Sequence, residues 1–125
     1  MTLRRERGQA TVELALCLPL VAVVLAAVVE VARLGVDQVR LWHAAREAVR
    51  AAAVDPDPTV AAAAARRSDL PGLAVEVTPG AGERVAGRPV TVALGYAPAR
   101  RILVLGPLFG WLRLRAQATM RIEQP

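Results

Sequence analysis

Between residues 14 and 29 the chain carries no charged residue and would be apolar on every face of a helix. With its margins, residues 10 to 32, the run is long enough at about 1.5 Å per residue to span a hydrocarbon core of roughly 30 Å. Pro19 lies inside it; a membrane helix tolerates proline and is expected to bend there. The helical pattern continues past this run. From Val31 to Val54 there is no proline, and Leu34, Leu41, Ala45, Ala48 and Ala52 recur at spacings of three, four and seven. Arg33, Asp37, Arg40, Glu47 and Ala51 fall on another face. Arg33 and Asp37 stand four apart with opposite charge, and Glu30 stands three before Arg33, so both acids are expected to pair with it. Gly35 is a soft point worth about 1 kcal/mol against alanine. The pattern predicts one continuous helix, apolar all round at its start and amphipathic later.

"DPDP" at 55–58 ends it, because a residue before proline is pushed out of helical geometry. Asp57 is then a good N-cap, with Pro58 at the first helical position, for a short second helix ending near Ser68. Pro71 and Gly72 form a turn, after which the period becomes two. Residues 73–78 are a candidate strand and 79–87 a turn-rich hairpin loop. In 88–96, Val90, Val92 and Leu94 share one face. In 112–123, Leu112, Leu114, Ala116, Ala118, Met120 and Ile122 alternate with Arg113, Arg115, Gln117, Thr119, Arg121 and Glu123. One apolar and one wet face is the pattern of an antiparallel sheet lying on a helix. Between these two strands, 97–111 is apolar and rich in Gly and Pro. It reads as a loop with partly buried side chains, and its composition marks a contact surface.

The expected fold is therefore α+β: a long N-terminal helix, a short second helix, and a three-stranded antiparallel sheet packed on the long helix. The expected organisation is a basic leader at 1–8, a transmembrane and assembly helix at 9–32, its amphipathic extension at 33–54, and a small extracytoplasmic α+β domain at 55–125. About 70 residues without staples make a marginal core, so the amphipathic helix must supply its other half, through Leu34, Leu41, Ala45 and their neighbours.

Composition changes this picture little. The chain is 54% hydrophobic but only 3% aromatic, which favours thin packing of Ala, Val and Leu. All sixteen basic residues are arginine, and Lys and Asn are absent, a bias that a GC-rich genome explains. The arginines are spread along the chain with no block of five or six, the pattern of scattered solvated charge and not of a nucleic-acid footprint. Arg4, Arg5 and Arg7 precede the apolar run and favour a cytoplasmic N-terminus, with the rest outside the membrane. Arg33, Arg40, Arg46 and Arg50 on the far side temper that signal.

Candidate chemistry is sparse. The single histidine, His43, has no second ligand at metal-binding spacing, and the single serine, Ser68, sits at a helix end. Asp55 and Asp57 have turn and cap roles and are too few for a cation site. The single cysteine, Cys17, follows the bulky Leu16 near the start of the apolar run, which does not fit a lipoprotein cleavage box. No catalytic, cofactor or metal set is expected, and no small-molecule substrate.

The informative stretch is "RGQATVELALCLPL" at 7–20. A basic leader is followed by Gly8, a small-polar stretch, Glu13, and the apolar run. Glu13 is the fifth residue when Gln9 is counted as the first. This resembles the prepilin processing motif, in which a membrane aspartyl peptidase cuts after Gly and leaves the apolar helix on the product. Together with "AAREAVRAAA" (44–53) and "AQATMRIE" (116–123), it resembles the TadE-like minor pilin (pseudopilin) family of Tad/Flp pilus systems. The resemblance covers nearly the whole chain and is strongest in the first 50 residues. It implies a structural subunit of such a pilus or a related secretion apparatus, cut between Gly8 and Gln9, with Glu13 as its assembly carboxylate. It also implies partners: the prepilin peptidase, other pilin subunits and the Tad assembly platform. The localisation implied is a single pass of the cytoplasmic membrane, with passage into a pilus on assembly. There is a departure: Leu14 follows Glu13 where the major Flp pilins have tyrosine. Two other readings stay open. One is a signal-anchored envelope protein with a small extracytoplasmic binding domain, never processed at Gly8. The other is an Arg-rich binder of anionic surfaces, including DNA.

Overall fold

A computed structural model describes residues 3–98 and 106–123. Helix α1 (Leu3–Val54) runs unbroken through Pro19 and Gly35. It is followed by α2 (Pro58–Arg66), β1 (Ala74–Thr78), a 3-10 turn (Ala81–Glu83), β2 (Pro89–Tyr96), the short α3 (Gly106–Phe109) and β3 (Leu114–Arg121). The sheet is antiparallel in the order β1-β2-β3. This is the α+β arrangement that the periodicities predict. Of the apolar segment 97–111, residues 99–105 lie outside the described residues. Pro98 is buried and Trp111 is exposed.

The alternation sets the register. Val90, Val92, Leu94 and Tyr96 of β2 are buried, and the residues between them are half-buried. In β3, Ala116 is buried and Ala118 and Met120 are half-buried, facing the same way, while Arg115, Gln117, Thr119 and Arg121 are exposed. On the wet face the Thr91 and Thr119 hydroxyls hydrogen-bond at 2.9 Å across the pair that places them opposite each other.

The sheet's apolar face lies on α1. Leu41, Ala44, Ala45, Ala48, Val49, Ala52 and Ala53 are all buried against it, and Ala61 and Ala65 of α2 complete the cluster. Most of these residues are alanine, so the elements approach closely and each contact is thin. The largest fully buried side chains include Leu41, Leu94, Val90 and Val92. Leu34, expected in the core, is only half-buried.

Two acids are buried. Asp37 was assigned by sequence to the wet face beside Arg33, but it is 6% exposed. Glu30, expected to pair at the border of the span, is 7% exposed. The cause is spacing. Asp37 stands three residues after Leu34 and four before Leu41, and Glu30 stands four before Leu34, so both fall on the core stripe.

Two contacts hold β3 alongside α1. Gln38 Nε2 donates to the Arg115 carbonyl at 2.9 Å, and the Glu123 amide donates to the Ala53 carbonyl at 3.1 Å. Fifteen helical residues rise about 22 Å and eight extended residues about 26 Å, so β3 runs nearly parallel to the helix axis.

Arg84 closes the end of α1. It is 8% exposed, and its Nη1 donates to the carbonyls of Ala52 (3.0 Å) and Asp55 (3.1 Å), while Nε reaches Pro79 O at 3.4 Å. The last carbonyls of a helix have no intrahelical donor, and a cation there also complements the macrodipole. Arg84→Ala should therefore destabilise the head by about 2–3 kcal/mol, the range for charged hydrogen bonds lost at a covered site. Thermal melting of the variant checks this, and an unchanged midpoint would contradict the role given to Arg84.

At the start of α2 the N-cap is Asp57, as the sequence predicts. Its Oδ1 accepts from the Thr59 amide and the Thr59 hydroxyl, each at 2.8 Å. The amide bond first, and the hydroxyl bond second, hold its carboxyl below the ordinary 3.8. A carboxylate whose folded pKa is lowered stabilises the fold above its unfolded pKa, and that stabilisation is lost as pH falls through the lowered value. Asp57→Ala should lower the melting temperature at neutral pH and flatten its fall between about pH 5 and pH 2. Parallel acid limbs for the two proteins would show that the cap contributes nothing to the pH dependence.

Candidate functional site

The sequence concentrates its unusual features at the N-terminal end of α1, and the structure places them on one bare helix. Gly8, Gln9 and Glu13 are helical and exposed. A Cβ built on Gly8 would meet nothing within 4 Å, so none of the described residues requires glycine there. Gly8 has the φ of an ordinary helix and no tight contact. Its remaining distinction is the low cost of unwinding a glycine, about 1 kcal/mol less than for alanine.

Four residues on, Glu13 lies over Gln9, and Gln9 Nε2 donates to Glu13 Oε1 at 3.3 Å. This contact follows from helical geometry. Side chains lean toward the N-terminus, so residue i+4 covers residue i. The Glu13 carboxylate therefore already sits where a helix beginning at Gln9 would have its first turn. There the macrodipole is positive and an α-amino group would be one turn away.

Beyond Glu13, none of the described residues covers α1 from Leu14 to Leu25, about three turns. Val12, Leu14, Leu16, Leu18 and Leu20 are each 59–73% exposed, and Val21, Val23, Val24 and Leu25 are each at least half exposed. Pro19 and Cys17 share this exposure. By length and composition, α1 qualifies to cross a membrane, with a mean hydropathy of 2.7 over its most apolar window and none of that window buried. Monomeric soluble proteins rarely expose a continuous apolar patch of this size, so the surface calls for lipid or for other apolar helices.

The head offers no competing centre among its described residues. No group of three His, Cys, Asp or Glu side chains that could hold a metal ion occurs among them. Asp55 Oδ1 accepts from the Asp57 amide at 2.8 Å, and Ser68 Oγ donates to the Ala65 carbonyl at 2.8 Å. Both therefore serve the local backbone. His43 lies on an open groove with Arg40, Glu47, Arg67 and Asp69, where the charges are mixed. Sequence reasoning missed Arg84, Gln38 and the buried Asp37. Only Asp37 left a signal, its place in the apolar spacing.

Residues 8–50 match the family described as TadE-like protein. The match covers Gly8, Gln9, Glu13 and the helix as far as Arg50, about a third of the chain, and leaves the sheet outside it. No curated protein and no solved structure matches the chain.

Proposed function

We propose that this chain is a minor pilin or pseudopilin, a structural subunit of a Tad/Flp-type pilus or related secretion apparatus. The observation that carries the proposal is the TadE-like match over residues 8–50, at whose start Glu13 follows Gly8 by five residues on an uncovered apolar helix. In this reading residues 1–8 are a leader removed by a prepilin peptidase, and Gln9 becomes the N-terminus. Before assembly α1 anchors the chain in the cytoplasmic membrane, with the head outside. On assembly the same surface packs among the helices of neighbouring subunits.

In this reading each site residue has a physical task. Gly8 lets the helix open locally so that the peptidase can reach an extended backbone. Cleavage turns the Gln9 amide nitrogen into an ammonium. Glu13, one turn away in the same chain or facing a neighbour's first turn, pairs with that ammonium in a setting where an isolated charge would be costly. Pro19 adjusts the path of the helix within the bundle. The role is structural: the chain contributes surface and charge pairing, and no bond-making step is assigned to it.

Comparing cells with and without the prepilin peptidase tests this reading. With the peptidase, the chain should lose its leader and appear in sheared surface filaments or in complexes with other pilin subunits. Without it, the chain should stay in the membrane at full length, and no filament should contain it. Identical behaviour in both strains would favour an unprocessed signal-anchored envelope protein.

A further inference from the structure

The alignment of β3 with α1 gives a ruler for the base of the head. Gln38 and Arg115 are at one level. Trp111 precedes Arg115 by four residues, which span up to about 13 Å when extended. On the helix, about 13 Å is roughly nine residues, so Trp111, in the turn that precedes β3, lies no lower than the level of residues 29–30, where the uncharged run ends. Burial agrees with this level. Ala26 and Ala27 are half-buried where other alanines of the run are exposed, and Glu30 is 7% exposed, so the head comes down to the last turn of the span.

At the base of the head Trp111 is 76% exposed, the most exposed large apolar side chain among the described residues. Gly106 to Leu112 carries no charge, Pro107 and Gly110 are exposed, and Arg113 and Arg115 are exposed just above. In chain order, apolar residues, an exposed indole and then arginines match the layers of a bilayer face. Tryptophan settles at headgroup depth, and arginine meets phosphate.

We propose that the base of the head, Trp111 with Leu112 and Arg113, rests on the outer face of the bilayer. This is an interfacial contact with anionic phospholipid, additional to the span. The inference rests on the reading of residues 14–29 as a membrane span. Lipid is preferred over a second copy on charge. A symmetric pairing of two such patches would bring Arg113 and Arg115 against their own copies in a chain of net charge +5. The contact fixes the rotation and tilt of the head before assembly, as interfacial anchors do.

The two tryptophans, Trp42 and Trp111, make the test internal. Trp42 stands thirteen helical residues above residue 29, about 20 Å further from the lipid. The full chain is reconstituted into phosphatidylcholine–phosphatidylglycerol vesicles containing brominated lipid, once as Trp42→Phe and once as Trp111→Phe. Flotation after carbonate washing scores insertion separately. Trp111 emission should be quenched at least about twofold more than Trp42 emission. An inserted chain with Trp111 unquenched would overturn the interfacial contact and leave the anchor intact. Trp111 shielded from lipid but cross-linking to a second copy would overturn it in favour of a subunit interface. A chain that fails to float would overturn both the contact and the span on which it rests.

Discussion

Gly8→Leu should leave the fold of this protein intact and stop its maturation. A Cβ at Gly8 meets nothing within 4 Å among the described residues, and leucine favours helix over glycine by about 1 kcal/mol. The variant should therefore insert and melt like the wild type. A peptidase cutting after residue 8 must bring its carboxylates close to that backbone and hold it extended. A branched side chain obstructs the approach, and the gained helicity resists the opening. Misplacement of a scissile bond by about 1 Å costs on the order of 100-fold in rate, so mature protein should fall at least that far in a short pulse. Gly8→Ala, with a single added carbon, should be intermediate. Normal processing of Gly8→Leu would remove the cut from this position.

Glu13→Val should produce the opposite phenotype, normal cleavage and failed assembly. Glu13 is exposed and contacts Gln9 Nε2 at 3.3 Å, so its loss leaves the head untouched and makes the run more apolar. Insertion should be unchanged or improved. In the assembled bundle, however, an ammonium would be left without its carboxylate. Removing one partner of a buried pair costs about 3–5 kcal/mol, enough to shift a subunit contact by roughly two to four orders of magnitude. The chain should accumulate in the membrane with Gln9 at its N-terminus and be nearly absent from sheared filaments. Wild-type incorporation of Glu13→Val would refute the amine pairing while leaving the processing assignment standing. The two variants thus separate the cut from the packing.

The sequence carried much of this because the dominant signals are periodic. A sixteen-residue uncharged run, a three-four-seven spacing of Leu34, Leu41, Ala45, Ala48 and Ala52, and a strict alternation from Leu112 to Ile122 each admit one local geometry. "DPDP" likewise placed the end of α1 and the cap of α2, which the Asp57 to Thr59 bonds realise. What escaped sequence reading depends on contacts distant along the chain. Arg84 caps Ala52 from 32 residues away, and Gln38 meets Arg115 across 77, so neither has a local signature. Asp37 was misplaced because charge was given more weight than spacing, although its intervals from Leu34 and Leu41 were legible. The candidate site was read from residue types alone, since a bare helix provides no cavity to mark it. Its geometry adds two facts: a Cβ at Gly8 would meet nothing within 4 Å among the described residues, and Glu13 already lies over Gln9.

The most direct measurement is the N-terminus of the native protein, read by mass spectrometry after isolation from membranes and sheared filaments. The account predicts that the mature chain begins at Gln9. An intact N-terminus, or one generated beyond Val29, would contradict it.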